Sequence, residues 1–176
     1  MKTMVIYYSQ TGQSKRIAEM AAEKLHADLA EIKTVRSYDE DMWKADAQAK
    51  AERNAGKFPE LEGALPEITS YDTVILGGPL WGQTISNPML AYMRKTDFSD
   101  KTVLSFWTFY DHDENYNGDM KREAKGARVM DGLSLPRAIT ENPKKLRSAL
   151  DRWIQGLQNH ILFLMKRCKY GQIFLK

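Results

Sequence analysis

The chain has 176 residues, 43% of them apolar and 28% charged, with one cysteine. That composition is ordinary for a single globular domain and excludes a disulfide scaffold, a collagen-like repeat and a disordered chain. The net charge of +3 is unevenly spread, residues 140–176 carrying +6 and residues 1–139 carrying −3; with no basic stripe interleaved with aromatics, nucleic acid is not an expected partner. The lone Cys168 and the lack of an apolar run of roughly 18 residues lead us to expect a cytoplasmic protein, with a membrane role unlooked for.

In chain order, Met4 to Tyr8 is the first of three near-continuous apolar runs, with Thr73 to Leu76 and Val103 to Trp107. Such runs suit strands buried on both faces of a parallel sheet. Ala27 to Lys33 and Ala127 to Met130 are weaker strand candidates. The stretch Gly12 to Leu25 sets Ile17, Met20, Ala21 and Leu25 on one helical face. Residues 38–66 form an insertion, helical from Glu40 to Asn54 and then broken by Gly56, Pro59, Gly63 and Pro66. Asn87-Pro88 and Asn142-Pro143 each place a capping amide ahead of a proline suited to a first helical turn. The second pair opens a last helix whose apolar positions Leu146, Leu150, Trp153, Leu157, Ile161 and Leu164 keep a 3, 4 spacing, with Gly156 as the expected bend or stop. Strands alternating with helices predict an open α/β sheet with right-handed crossovers. We divide the chain into a domain over residues 1–157 and a basic, apolar helical extension over 158–176.

Ligands in such sheets bind at the carboxyl ends of the strands. Three loops fall there. Ser9, Gln10, Thr11, Gly12, Gln13 and Ser14 lie between the first strand and a helix, where hydroxyls, free N–H groups and the helix dipole would hold a phosphate dianion; the same residues also serve as a plain helix cap. Pro79, Leu80, Trp81, Gly82, Gln83 and Thr84 follow the third long strand. Trp81 there is either an exposed indole on which a planar ring could stack or a core tryptophan in a Gly-rich turn. Thr108, Phe109, Tyr110, Asp111 and His112 make up the third loop. Asp111, Asp113 and Asn115 mimic the start of a calcium loop, but Tyr116 and Arg122 stand where its glycine and closing acid belong, so no metal is expected.

The motif S-Q-T-G-Q-S, the stretch Y-D-T-V-I-L-G-G-P-L-W-G-Q-T-I-S-N-P and the segment D-F-S-D-K-T-V-L-S-F together resemble the flavodoxin family over about residues 3–157, and in particular its bacterial members with a helical insertion after the second strand. The resemblance implies a flavodoxin-like doubly wound sheet of five parallel strands with helices on both faces; its strand order 2-1-3-4-5, with FMN at the switch point, is taken from that family, which is the standard example of the rule. It further implies that Ser9, Thr11, Gly12, Gln13 and Ser14 cradle the FMN phosphate and that Pro79 to Thr84 pack one side of the isoalloxazine. Where relatives carry serine and glycines after the strand, this chain has Phe109 to Asn115, which would stack on the ring or crowd it. An acid at Asp111 or Asp113 near the ring would disfavour negative charge on the reduced flavin and lower its potential.

Three functions are open, two implied by the resemblance and a third suggested by the third loop's departure from it. The first is a one-electron carrier between partner proteins, with no catalytic residue of its own. The second is an NAD(P)H-dependent FMN reductase acting on quinones or similar small electron acceptors, and the third is a binding or assembly module that keeps the fold without redox work. The tail Ile161 to Arg167 would pair two copies into a homodimer.

Overall fold

The computed structural model describes residues 2–110, 112–113 and 116–171, with side chains as far as Asn159. The strands are β1 (Thr3–Tyr7), β2 (Asp28–Glu31), β3 (Thr73–Trp81), β4 (Thr84–Ile85), β5 (Thr102–Phe109), β6 (Arg128–Val129) and β7 (Leu133–Pro136). The helices are α1 (Gln13–Leu25), α2 (Met42–Asn54), α3 (Asn87–Met93), α4 (Tyr116–Glu123), α5 (Arg137–Thr140) and α6 (Pro143–Gly171).

The sheet runs β2-β1-β3-β5-β6, all parallel, with β4 hairpinned antiparallel to β3. The fifth position is shared. β6 pairs with the start of β5 and β7 with its end, Phe106 opposite Leu133 through Phe109 opposite Pro136. With β6 and β7 counted as one broken strand, the order is the expected 2-1-3-4-5. The sequence analysis found only the first half of that strand, because Leu133-Ser134-Leu135-Pro136 is too short a run to stand out. Gly132 at the break abuts β5, where an added Cβ would sit 2.5 Å from the Ser105 hydroxyl.

Both faces of the sheet are covered, which explains the unbroken apolar runs. Val5 and Tyr7 of β1 pack with Ile17, Ala21, Leu146 and Leu150 of α1 and α6. Met4, Ile6 and Tyr8 face the opposite layer, with Ala45 and Ala49 of α2, Leu90 of α3 and Met120 of α4. The α6 helix continues through Gly156, so it does not stop there. A glycine inside a long, well-packed helix costs only about 1 kcal/mol. The apolar positions Ile161 and Leu164 and the tail side chains expected to pair two copies lie outside the described side chains. Asn142 caps α6 as expected, its Oδ1 accepting from the Lys145 N–H at 3.1 Å.

Asn87 does something else. It is the first residue of α3, behind Ser86 as N-cap, and it is fully buried. Its amide donates to the Ala49 carbonyl at 2.9 Å and to Glu52 Oε2 at 2.7 Å, while its oxygen accepts from Arg53 Nη1 at 2.8 Å. All three partners belong to α2. This insertion helix buries only Ala45 and Ala49, so polar anchors hold it as much as apolar ones. Its N-terminus is capped by Asp41, which accepts from the Trp43 and Lys44 N–H groups at 2.9 and 3.1 Å.

Candidate functional site

At the carboxyl ends of β1, β3 and β5 lies a cavity of about 570 Å³, within the ordinary range for small-molecule sites. Its place beside the crossover point of the sheet follows the rule that flavodoxins themselves illustrate. Each expected loop contributes. Ser9, Gln10, Thr11, Gln13 and Ser14 border it from the first loop, Pro79, Leu80, Trp81, Gly82 and Gln83 from the second, and Thr108, Phe109, Tyr110 and His112 from the third.

The first loop leaves the start of α1 without a side-chain cap. Gly12 enters α1 at φ 85°, a left-handed conformation that favours glycine, and α1 has neither a side-chain cap nor an acid in its first turn. The first N–H groups of α1 are therefore open toward the loop. The Ser9 hydroxyl is buried without a hydrogen-bond partner, while Ser14, 1% exposed, lies 3.4 Å from the Thr108 hydroxyl. Gln13 Nε2 donates to the Thr140 hydroxyl at 3.1 Å, and Arg16 Nη2 donates to the Thr140 carbonyl at 2.5 Å. Gln10 donates to the Asp39 carbonyl, tying the loop to the insertion.

The second loop is a hairpin. Trp81 pairs with Thr84 across a two-residue turn in which Gly82 and Gln83 have φ of 55° and 65°; positive φ at both positions marks a type I′ turn. Thr84 departs from expectation, because it does not border the cavity and its hydroxyl donates to Asp119. The exposed indole we considered for Trp81 is also absent. Trp81 is 4% exposed, with the Tyr38 ring at 4.7 Å and the Tyr8 ring at 5.4 Å between centroids. Tyr38 donates its hydroxyl to Glu52 Oε2 at 2.6 Å. Burial, then the hydrogen bond to Glu52, holds its phenol far above the ordinary range, and burial does the same for Tyr8.

In the third loop, Asp113 is an anchor and does not border the cavity. Its Oδ2 accepts from Trp107 Nε1 at 3.2 Å and from the Ser134 hydroxyl at 2.5 Å, which removes it as the expected acid beside the ring. Asp111, the other candidate, lies outside the described residues, as does Asn115 of the calcium-like pattern. Among the described residues there is no cluster of acids, histidines or cysteines able to hold a metal. Tyr110 is 52% exposed and has the Arg137 guanidinium 5.1 Å from its ring centre.

Seven bordering residues were not anticipated: Met42, Trp43, Asp46 and Lys50 of α2, and Arg137, Thr140 and Glu141 from the segment before α6. The insertion is thus one wall of the cavity, a fact that the Ala- and Lys-rich pattern of α2 does not announce. Its charges are matched locally, Lys50 with Asp46 at 2.6 Å and Arg137 with Glu141 at 2.5 Å. No helix among the described residues is long and apolar enough to cross a membrane.

A family model described as Flavodoxin matches residues 2–156. A comparison with curated proteins gives no match. Among solved structures, a candidate flavoprotein from Bacteroides uniformis is 25% identical over 88% of this chain and 97% of its own, with a TM-score of 0.71. A flavoprotein from Lactobacillus acidophilus, solved in complex with FMN, is 24% identical over 80% and 96%, with a TM-score of 0.65. Oxidised flavodoxin 2 from Bacillus cereus is 18% identical over 90% and 99%, at 0.54. These last two show the shared fold.

Proposed function

Since the chain belongs to the flavodoxin family, we propose that it is an FMN-binding redox protein and that it carries electrons singly between partner proteins in the cytoplasm. The observation that carries this reading is the pairing, in one cavity, of an uncapped helix N-terminus beside the orphaned Ser9 hydroxyl with an apolar far side built from Pro79, Leu80, Phe109 and Tyr110. A phosphate suits the first and a ring system the second.

When bound, FMN supplies one- and two-electron redox chemistry, and the protein supplies affinity, orientation and solvent access. Ser9, Thr11, Ser14 and the first N–H groups of α1 would hold the phosphate without a lysine or arginine inside the loop, the helix end contributing positive potential. The bond from Gln13 to Thr140 fixes one side of that cradle. Gly82 and Gln83 bring backbone groups to the cavity at a turn whose first residue tolerates either sign of φ. A flip of their shared peptide would take type I′ to type II′, Gly82 keeping its positive φ while Gln83 moves to the ordinary negative region, and would reorient the Gly82 carbonyl as a hydrogen-bond acceptor for the ligand.

A second reading, an NAD(P)H-dependent reductase of quinones or similar acceptors, is favoured by one feature: Met42, Trp43, Asp46 and Lys50 of α2 help to line a cavity of small-molecule size. Titration of FMN into the apo-protein, followed by quenching of flavin fluorescence, tests what both readings share. Stoichiometric quenching is expected; free flavin emission at all ratios would overturn it. Steady oxidation of NAD(P)H by the loaded protein with a quinone would then replace the carrier by the reductase.

A further inference from the structure

Resting on the flavin-binding reading, we propose that Trp43 of the insertion helix, and not Trp81, supplies the aromatic face for the uncharged planar ring of the ligand. Trp81 is 4% exposed, its indole flanked by Tyr38 and Tyr8 with the ring planes at 57° and 77°. At that exposure neither face of the indole is open to a stacked ligand. Trp43 borders the same cavity and is 73% exposed. Among the described residues, five large hydrophobic side chains are exposed; Met42, Trp43 and Tyr110 are three of them, and all three border this cavity. Such clustering marks a binding surface, since exposed apolar residues otherwise scatter singly.

The helix geometry explains the placement. Ala45 and Ala49 turn one side of α2 into the core. Trp43, Asp46 and Lys50, spaced i, i+3, i+7, form a stripe on another side and border the cavity together. Asp46 and Lys50 neutralise each other at 2.6 Å. The stripe therefore offers an aromatic face over a matched ion pair, which suits the neutral isoalloxazine better than the phosphate end. The phosphate end belongs to the N-terminus of α1.

The test compares wild type, Trp43→Ala and Trp43→Phe by titration with FMN and with riboflavin, reading flavin fluorescence and the shape of the visible flavin absorption band, with thermal melting as a fold control. Trp43→Ala is expected to keep its melting temperature, to bind both flavins about tenfold more weakly and to lose the band change that stacking produces; Trp43→Phe should restore most of both. Equal affinity and band shape in wild type and Trp43→Ala would overturn the inference while leaving the flavin reading in place. Failure of the wild type to bind FMN would overturn the flavin reading itself, and the inference with it.

Discussion

Asn87→Ala should detach the insertion helix while leaving the sheet intact. The substitution removes one neutral hydrogen bond, to the Ala49 carbonyl, and two with charged partners, Glu52 and Arg53. A neutral bond contributes about 1 kcal/mol and a charged one about 1.5 to 3 kcal/mol. Glu52 and Arg53 are only half-buried, so water recovers part of what they lose, and a net of about 3 kcal/mol is reasonable. The apolar attachment of α2 is the burial of Ala45 and Ala49, at about 0.8 kcal/mol per carbon group, or roughly 2 kcal/mol in all. The polar anchor is thus the larger of the two, and its loss should raise the opening of α2 about a hundredfold. Hydrogen exchange resolved by segment reads this directly: amides of α2 should exchange about a hundredfold faster, those of β1, β3 and β5 at the wild-type rate. Exchange in α2 within about threefold of wild type, or equal acceleration in the sheet, would refute the argument.

Gly77→Ala would place a methyl inside the buried ring of Phe106, an overpacking expected to cost about 3 kcal/mol. A urea midpoint near wild type would show that the ring can move aside, whereas Phe106→Leu should rescue part of the loss in the double variant. Alkali should unfold the protein cooperatively, because burial raises Tyr7 and Tyr92 to about 12 and pushes Tyr8, Tyr38 and Tyr116 higher still. The folded chain keeps these protons after the unfolded chain has lost them near pH 10, so stability is full below about pH 10 and falls as pH rises through 12. Tyrosinate absorbance should grow together with loss of near-ultraviolet dichroism; ionisation of these phenols with the dichroism retained would contradict it.

The sheet was legible because its central strands are buried on both faces, and Met4 to Tyr8 can satisfy two layers only by being apolar throughout. The place of the first loop beside the cavity was legible because Ser9 to Ser14 lie between a buried strand and a helix, at the carboxyl edge of the sheet. Asn87 was misleading: Asn before Pro signals a cap, but at the end of a buried hairpin the amide found three partners on another helix. Trp81 had two readings, and only the rings of Tyr8 and Tyr38, distant in sequence, decide between them. The contributions of α2 and α5 to the cavity were hidden for the same reason. Helix periodicity reports which side of an element meets the core, and it is silent about which side meets a ligand.

The borders of the sheet carry one more consequence. On one side β2 offers four residues, with Asp28 and Glu31 at its ends; on the other the partner strand is broken at Gly132 and closes on Pro136. A long flat border would invite the same strand of another copy to add on, the route by which open sheets grow into fibrils. Among the described residues neither border gives an incoming strand much continuous backbone to template, so a concentrated solution of this protein should resist ordered β-aggregation.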